Sequence, residues 1–379
     1  MGDGPPTTRS LSILHVTAPG PVGGLESVVR ATATGLHRRG HRVGVIAVVE
    51  PGQPDHPFVA SLRREGVETT QLILPARAYL REVRRVSAEI RRFAPDVLHA
   101  HGSRADLLHF PTARWLGIPI VTTLHGSSMR GGLAGLSERF QGTVLKWFDA
   151  VVAVSSPLAR DLIQRGLSHD QVHLIPNSPS TTVAPLPRQA ARDHLGLSES
   201  DTPVLGWVGR LIPVKGGDVF LRALAALTGE RWMVSIIGDG PERGDLERLA
   251  EEFGIGNRVR FHGAMPDAAK YQSAFDLFVL SSHSEGIPMV VFEAAAAGTP
   301  IVASAVGGIP DVFSGREAHL VPAGDVDALA GAIRALLGDL EGARERADRA
   351  RERIAAEFSE EVWMDRYEKM YRELEPTRR

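Results

Sequence analysis

The segment LFVLSSHSEGIPMVVFEAAAAGTPIVA, residues 277–303, contains one complete strand–loop–helix–strand unit. Leu277–Leu280 is a short apolar run with the length of a buried strand, and a second such run begins at Pro300. Between them, Pro288 is suited to the first helical position, and Gly298 is suited to the end of the helix. The pattern predicts a parallel βαβ unit whose polar loop lies at the carboxyl end of the first strand.

The same alternation of short apolar runs and amphipathic stretches extends over nearly the whole chain. Strands are predicted in the first half at Leu11–Thr17, Arg42–Val49, Val97–His99, Ile118–Leu124 and Ala150–Val154. Helices are predicted there at Leu25–Arg39, Ala78–Phe93 and Leu133–Phe148. Strands are predicted in the second half at Val204–Val208, Trp232–Ile237, Val259–His262, Leu277–Leu280 and Pro300–Ala303.

Two successive βα series predict an α/β fold with two Rossmann-like, doubly wound domains. The series is interrupted at Ser178–Thr202, which is rich in Ser, Thr and Pro and carries a short polar helix. We therefore place the first domain at residues 1–177, a linker at 178–202 and the second domain at 203–358, followed by a helix at 359–379. Each domain is expected to have a crevice at the carboxyl ends of its strands, where ligands of this architecture bind.

The composition excludes several classes of function. The 379 residues include no cysteine, which excludes disulfides, thiolate metal sites and a cysteine nucleophile. Met1–Ser10 is polar and has no signal-peptide pattern, and no run of about 18 apolar residues could span a membrane. The expected location is the cytoplasm.

The formal net charge of −2 conceals an asymmetry between the two halves of the chain. Residues 1–180 carry an excess of basic side chains, and residues 181–379 carry an excess of acidic ones. A nucleic-acid partner would require a stronger and more local basic excess, so none is expected. The predicted helix at Ala78–Phe93 nevertheless carries the arginines Arg81, Arg84, Arg85, Arg91 and Arg92. They form either an ordinary solvated face or a peripheral contact with the anionic inner face of a membrane.

The loop before the helix in 277–303 has the features of an anion-binding site. The backbone N–H groups of Gly286 and Ile287 are expected to point into the crevice, where they could bind phosphate. Glu285 could accept hydrogen bonds from sugar hydroxyls, and Glu293 could bind a ribose diol. The alternative is that Glu285 caps the helix and Glu293 is solvated, although a lone carboxylate among Ala and Val residues is costly to bury.

A second loop, Gly209–Gly216, follows the predicted strand Val204–Val208 and contains Arg210 and Lys215. Arg offers a planar fork for phosphate oxygens, and Lys offers a point charge. Two ordinary surface cations would give the same sequence. Taken alone, this loop does not decide between the two interpretations.

A third loop, Ala18–Glu26, places Gly23 and Gly24 at the expected start of a helix, where a ligand could approach backbone amides closely. It does not match the G-x-G-x-x-G dinucleotide fingerprint. Gly238–Gly244 also fails that fingerprint, because its third glycine is one position late. A nicotinamide-dependent dehydrogenase therefore lacks its main sequence support.

The remaining candidates are a histidine and an aspartate pair. His125 closes the strand Ile118–Leu124 and should lie at the mouth of the crevice, unless it is a structural histidine. Asp325 and Asp327 form an Asp-x-Asp motif, but their position before an apolar helical run favours helix capping over metal binding. No Gly-x-Ser-x-Gly and no His-Glu-x-x-His motif occurs, so hydrolases and zinc proteases lack a site.

Together these residues resemble the retaining glycosyltransferases of the two-domain "B" fold, the glycogen-synthase and mannosyltransferase-like group 1, family 4 type. The resemblance covers nearly the whole chain and is most specific from Phe261 to Asp311. Glu-x7-Glu is the signature of the family, and here it is Glu285 and Glu293. The chain departs from the family pattern at Ile175–Ser180, where Asn-Gly-Val-Asp is common, and at Gly126, where an acidic residue often follows the histidine.

The resemblance implies the architecture and the roles of the site residues. The two domains should face each other across a cleft, and the C-terminal helix should cross back to the first domain. Glu293 should bind the donor ribose and Glu285 the transferred sugar, with His125 near the anomeric centre. The group that should neutralise the diphosphate comprises Arg210 and Lys215, with the backbone amides near Gly23, Gly24, Gly209, Gly286 and Ile287. No metal and no cofactor is implied.

The expected function is transfer of a hexosyl group from a nucleotide sugar to a glycan, lipid-linked or small-molecule acceptor, with retention of anomeric configuration. Two alternatives remain open at this point. A nucleotide-sugar epimerase of the same fold would act without an acceptor, and a pseudoenzyme would bind the nucleotide sugar without turnover. The sequence does not identify the donor base, the sugar or the acceptor.

Overall fold

The computed structural model describes residues 9–20, 24–52, 56–125, 142–178, 184–197 and 202–374. The strands are β1 Ser12–Thr17, β2 Arg42–Val49, β3 Glu68–Ile73, β4 Val97–His101, β5 Ile120–Leu124, β6 Ala150–Ala153, β7 Val172–Leu174, β8 Val204–Val208, β9 Met233–Ile237, β10 Val259–Phe261, β11 Leu277–Leu280, β12 Ile301–Ser304 and β13 His319–Val321. They form two sheets in which every pair of neighbouring strands is parallel.

Helices connect the strands of both sheets, as parallel pairing requires. In the first half they are α1 Gly24–Arg38, α2 Pro57–Arg64, α3 Tyr79–Phe93, α4 Ser103–Leu116 and α5 Ser156–Gln164. Then follow α6 Arg188–His194, α7 Gly217–Ala225, α8 Arg243–Glu252, α9 Met289–Ala296, α10 Ile309–Val312, α11 Val326–Gly338, α12 Leu340–Glu357 and α13 Glu360–Glu373. Within the described part of the chain, no helix combines the length and the apolar character needed to cross a membrane.

The chain divides into two compact units, each built on one sheet. The first unit comprises Met1–Val154, Leu158–Pro176 and Glu361–Arg379, so the last helix belongs to it. The second unit comprises Ser155–Pro157 and Asn177–Glu360. The predicted α/β class with two Rossmann-like domains is confirmed.

The two sheets have the same topology over their first six strands. The first sheet has the order β3-β2-β1-β4-β5-β6-β7, and the second has the order β10-β9-β8-β11-β12-β13. The order reverses between β1 and β4 in the first sheet and between β8 and β11 in the second. These reversals are the topological switch points, where open α/β sheets bind their ligands.

The helix α13 packs on the sheet of the first unit through fully buried aromatic side chains. Trp363, Tyr367 and Tyr371 are all at most 1% exposed. The Tyr367 and Thr123 hydroxyls are hydrogen-bonded at 3.2 Å, and Arg39 forms an ion pair with Asp365 at 2.6 Å. Burial of three large aromatic side chains accounts for the attachment of this helix to a sheet far away in sequence.

Strands with continuous apolar runs were predicted most accurately. The bounds of β2, β8 and β11 coincide with the prediction, whereas β3, β7 and β13 were missed. The missed strands lie at or next to sheet edges, and β3 has one buried residue among six. An edge strand lacks the apolar signal because one side of it faces solvent.

One predicted helix feature needs correction, and another predicted helix falls largely outside the described residues. Pro288 is not the first helical residue: it is the N-cap of α9, with φ −73° and ψ 136°, and the helix begins at Met289. Residues 133–141 of the predicted helix Leu133–Phe148 lie outside the described residues. The described remainder is helical as predicted: residues 142–144 are α-helical, Leu145–Trp147 continue as a 3₁₀ turn, and only Phe148 is extended.

Candidate active site

The candidate site lies at the carboxyl ends of β8 and β11, the adjacent strands at the switch point of the second sheet. Both strands are completely buried, and their loops emerge at the same edge. The loop after β8 carries Arg210 and Lys215, and the loop after β11 carries Glu285. The fold therefore brings together two segments about 70 residues apart in sequence.

An ion pair joins the two loops. The Lys215 Nζ atom lies 2.6 Å from Glu285 Oε1, and the side chains are 20% and 9% exposed. The Ser282 hydroxyl donates to the same oxygen at 2.6 Å. Loss of either partner of a mostly buried pair of this kind would leave the other charge uncompensated.

Backbone contacts fix the relative position of these loops. Gly216 has φ +62°, and a Cβ atom added there would lie 2.2 Å from the Ser281 carbonyl oxygen. The His283 amide donates to the Val214 carbonyl at 2.9 Å, and the Ser281 hydroxyl donates to the Gly216 carbonyl at 2.7 Å. The ion pair is thus held by a backbone approach that only glycine permits at this position.

Arg210 is exposed, and no acidic side chain among the described residues lies within 4.0 Å of it. Its loop packs against the loop after β9: a Cβ atom at Gly238 would lie 1.8 Å from the Gly209 carbonyl oxygen. The Leu211 amide donates to the Asp239 carbonyl at 2.9 Å. The glycine at position 238, which belongs to no dinucleotide fingerprint, therefore serves to bring these two loops together.

The backbone after Glu285 is buried and held on its carbonyl side. The Gly286 carbonyl accepts a hydrogen bond from the Gly308 amide at 2.7 Å, and the Ile287 carbonyl accepts one from Asn177 Nδ2 at 3.0 Å. For the Gly286 and Ile287 amides, no protein acceptor is found in the described ranges. These two donors remain available to an anion, and they precede the start of α9.

Glu293 is half-buried in the second turn of α9. The neighbouring positions Val291, Phe292, Ala294 and Ala295 are completely buried. Its side chain is therefore neither an ordinary solvated helix position nor a core position.

In the first unit, Gly24 opens α1 directly after the β1 loop, and Gly23 lies outside the described residues. A Cβ atom at Gly24 would meet nothing within 4 Å, so there is free space at this helix start. His125 follows the last residue of β5, and desolvation by burial lowers its pKa to about 4. Its imidazole is therefore neutral near pH 7, and its Nε2 atom has no partner among the described groups.

Three further histidines, which the sequence analysis did not select, occupy the switch point of the first sheet. His15 on β1 is in register with His99 on β4, and His101 lies two residues further on the same side of β4. His15 Nδ1 and His101 Nε2 are 2.9 Å apart. The His-x-His spacing on a predicted strand was the available signal, because residues i and i+2 of a strand share a face.

These histidines are neutral, and one of them, His99, anchors the last helix. Burial lowers the pKa of His15 to about 3 and the pKa values of His99 and His101 well below 6.5. His99 Nδ1 lies 2.6 Å from the Tyr371 hydroxyl, and His99 Nε2 lies 2.8 Å from the Thr123 hydroxyl. Within the described ranges, this trio is close enough to share a metal ion. Because both ring nitrogens of His99 are already hydrogen-bonded, the arrangement favours an anchor for α13.

The Asp-x-Asp motif belongs to the helix α11. Asp325 is its N-cap, and the carboxylate accepts a hydrogen bond from the Ala328 amide at 2.9 Å. Asp327 lies in the first turn, where a negative charge stabilises the helix dipole. The prediction of helix capping is confirmed.

Comparison with known proteins identifies the class to which this fold and site belong. Residues 202–339 match the family model described as "Glycosyl transferases group 1", and residues 22–181 match the model described as "Glycosyltransferase Family 4". The protein is a glycosyltransferase with two Rossmann-like domains.

Individual relatives agree with this assignment. The chain is 32% identical over 378 residues to the 2-deoxystreptamine N-acetyl-D-glucosaminyltransferase of Streptomyces fradiae, with 88% of this chain and 86% of the relative covered. It is 29% identical to the lipopolysaccharide core biosynthesis glycosyltransferase LpsE of Rhizobium meliloti, with 82% and 92% covered. The chain therefore belongs to the group 1, family 4 glycosyltransferases.

Solved structures show the same fold. The UDP-glucose complex of HepE from Anabaena superposes with a TM-score of 0.84 at 21% identity, covering 96% of this chain and all of that one. Sucrose-phosphate synthase from Thermosynechococcus elongatus superposes with a TM-score of 0.81 at 25% identity, covering 96% and 98%. The predicted GT-B type of fold is thereby confirmed.

Proposed function

We propose that the protein is a retaining glycosyltransferase that moves a hexosyl group from a nucleotide-diphosphate sugar to a glycan, lipid-linked or small-molecule acceptor. The observation that carries the proposal is the Lys215–Glu285 pair at the switch point of the second sheet. It joins a phosphate-binding cation to a sugar-binding carboxylate. The UDP-glucose bound to HepE, a protein of the same fold, supports a donor of this type.

On the phosphate side, negative charge that develops on the leaving diphosphate is stabilised by hydrogen-bond donors that are already in place. Lys215 has three N–H donors and uses one of them toward Glu285, which leaves two for diphosphate oxygens. The exposed guanidinium of Arg210 and the amides of Gly286 and Ile287 supply further donors. Preorganised donors of this kind stabilise a leaving diphosphate without reorganisation during the reaction. The charge is balanced by side chains, and no cofactor enters the proposal.

On the sugar side, Glu285 is the proposed contact to the hexose. Its Oε1 atom already accepts from Lys215 and Ser282, and Oε2 is left to accept from a sugar hydroxyl. Glu293 is the proposed ligand of the donor ribose. His125 is proposed to act near the anomeric centre as a neutral hydrogen-bonding group, because its pKa of about 4 keeps it uncharged near pH 7.

In the proposed reaction, the bond between the anomeric carbon and the phosphate oxygen breaks as the acceptor oxygen attacks from the same face. The acceptor hydroxyl loses its proton to the leaving phosphate, so the nucleoside diphosphate carries that proton away. Same-face attack retains the anomeric configuration and requires no enzyme nucleophile. Positive charge on the sugar ring is stabilised by nearby carboxylate and hydroxyl groups.

The first experiment is a thermal-shift screen against UDP, GDP and ADP and their common sugar conjugates. A ligand that binds only the folded state stabilises it by about 2.7 kcal/mol at a hundredfold excess over its dissociation constant. The shift should disappear in Glu293→Ala and persist in Glu252→Ala, which removes an exposed helical glutamate of the same unit. If no nucleotide produces a shift, or if Glu293→Ala keeps it, the donor site is wrongly placed.

Product analysis then tests the reaction itself. With the stabilising donor, transfer should require an added acceptor, and NMR of the product should show the anomeric configuration of the donor. An inverted product would overturn the stereochemistry. Conversion of the donor to an epimer without an acceptor would establish an epimerase, and binding without turnover for any acceptor would establish a sugar-nucleotide-binding protein.

A further inference from the structure

The helices α3 and α4 lie side by side on one face of the first sheet and present a common outer surface. Glu82 on α3 accepts a hydrogen bond from Arg104 Nε on α4 at 3.0 Å, and the hydroxyls of Ser87 and Thr112 are 3.0 Å apart. We call this surface the α3–α4 face and define it by eight exposed residues: Arg77, Tyr79, Leu80, Arg81, Arg84, Arg85, Arg91 and Trp115.

The charge of the α3–α4 face is positive and uncompensated. None of its five arginines lies within 4.0 Å of a carboxylate in the described part of the chain. The two glutamates of α3 are already paired: Glu82 is buried against Arg104, and Glu89 lies 2.8 Å from Arg92. The face therefore attracts an anionic partner.

The same face exposes large apolar side chains. Leu80 is 85% exposed, Trp115 is 73% exposed and Tyr79 is 46% exposed. The Arg91 guanidinium lies over the Trp115 ring at 5.0 Å, so a cation and an aromatic ring form one contact surface. Trp and Tyr beside Arg, with an exposed Leu, is the composition of helices that lie in the headgroup region of a bilayer.

The helix α12 shows what an ordinary solvated basic helix looks like in this protein. It is also rich in arginine, but its arginines alternate with acidic residues: Arg349 lies 3.8 Å from Glu345, Arg351 lies 2.8 Å from Asp348 and Arg353 lies 3.6 Å from Glu357. In addition, α12, all of which is described, exposes no large apolar side chain. The α3–α4 face differs from it in both respects.

We propose that the α3–α4 face docks on a bilayer surface that contains anionic lipid. The arginines bind lipid phosphates, and Leu80 and Trp115 enter the boundary between headgroups and acyl chains. The proposal goes beyond the transfer reaction and uses none of its residues.

The test is co-flotation of the full chain with vesicles of phosphatidylcholine, alone or mixed with phosphatidylglycerol. The protein should float only with the anionic mixture, and less so at high salt. The triple variant R81A/R84A/R85A should bind about a hundredfold more weakly, because each arginine near an anionic surface contributes roughly a fivefold factor. The control variant R160A/R248A/R344A changes the net charge equally on other exposed helices and should bind like the natural chain.

A second set of variants separates insertion from electrostatic attraction. Leu80→Ser and Trp115→Ser should each weaken binding about tenfold, whereas Leu174→Ser, at a side chain 45% exposed elsewhere, should not. Equal flotation with neutral vesicles, or undiminished binding of R81A/R84A/R85A, would overturn the proposal. The proposal would also fail if single-stranded RNA competed with the vesicles for the protein and bound Leu80→Ser and Trp115→Ser as tightly as it binds the natural chain. Circular dichroism checks that each variant is folded.

Discussion

The two sheets of this protein share a strand order, but their switch points differ in chemistry. At β8 and β11 the second sheet carries a Lys215–Glu285 ion pair that remains partly accessible to solvent. At β1 and β4 the first sheet carries His15, His99 and His101, which are buried, and His99 is hydrogen-bonded to Tyr371 of α13. Topology thus determines where a site can form, and the side chains at that place decide whether it binds a ligand or anchors another element.

The difference follows from how each environment treats charge. A lysine and a carboxylate in contact stabilise each other's charged forms, whereas an isolated imidazole in a dry interior is more stable without its proton. Burial accordingly lowers the pKa of His15 to about 3. One switch point is charged and the other is neutral, and the following experiments test this contrast.

The largest expected effect is on catalysis at the charged switch point. Lys215→Ala should lower kcat about a hundredfold to a thousandfold, the usual cost of removing one preorganised donor from a developing anion. KM for the donor should change less, because the interaction strengthens as the phosphate leaves. Lys270→Ala removes another lysine–carboxylate pair, Lys270–Asp267 at 3.0 Å, and should leave both constants unchanged. An equal loss of kcat in the two variants would mean that Lys215 does not act on the donor phosphate.

The neutral switch point should make the first unit sensitive to mild acid. Because the folded pKa values of His15, about 3, and His125, about 4, lie below 6.5, the unfolded state binds more protons as the pH falls. The contribution of these histidines to the free energy of unfolding is fully present above pH 6.5 and is lost as the pH falls toward 4. His15 alone accounts for a loss of about 3 kcal/mol. In the second unit, His262 and His319 have lowered pKa values, but both are half-buried.

This acid sensitivity can be measured by incubation at each pH followed by pulsed hydrogen exchange at one fixed pH. Peptides of the first sheet should lose protection at a higher pH than peptides of the second sheet. If the second sheet opens first, burial of the histidines does not control acid stability.

A smaller effect is expected from the glycine that holds the charged loops together. Gly216→Ala introduces a Cβ atom 2.2 Å from the Ser281 carbonyl oxygen at φ +62° and should cost about 2–4 kcal/mol of unfolding free energy. Gly254→Ala has a similar φ of +67° but meets nothing within 4 Å, and it should cost only about 1–2 kcal/mol. Urea denaturation of both variants separates the cost of the steric clash from the cost of the positive φ. Equal denaturation midpoints would contradict the close approach of Gly216 to the Ser281 carbonyl.

The smallest effect is expected at the anchor of α13. Tyr371→Phe removes the hydroxyl 2.6 Å from His99 Nδ1 and leaves that buried nitrogen without a partner, at a cost of about 1–3 kcal/mol. Tyr271→Phe, at a half-buried tyrosine of the second unit, is the control and should cost less. Hydrogen exchange should show the loss in α13 and β4. A loss spread evenly over both units would mean that this hydrogen bond does not anchor the helix.

Much of the fold and some of the site follow from local sequence pattern. Buried parallel strands such as β8 and β11 are continuous apolar runs, and the loops after them contain Arg210, Lys215 and Glu285 in recognisable settings. The capping role of Asp325 could also be predicted, because a cap depends on residues only three positions apart.

The parts that escaped prediction depend on contacts between distant residues. The Lys215–Glu285 pair and its Ser282 partner arise only when β8 and β11 become neighbours. The histidines of β1 and β4 looked like ordinary strand residues, because their common environment requires a specific strand register and a helix from the other end of the chain. Single-sequence periodicity contains neither the register nor the neighbour.

The attachment of α13 to the first sheet also sets an order of events during synthesis on the ribosome. The face that Trp363, Tyr367 and Tyr371 cover stays open until all of Asn177–Glu360 has been translated. The nascent first unit therefore lacks the hydrogen bond from Tyr371 to His99 while the second unit is being translated. Synthesis of α13, rather than emergence of the first sheet, completes the core of the unit that is made first.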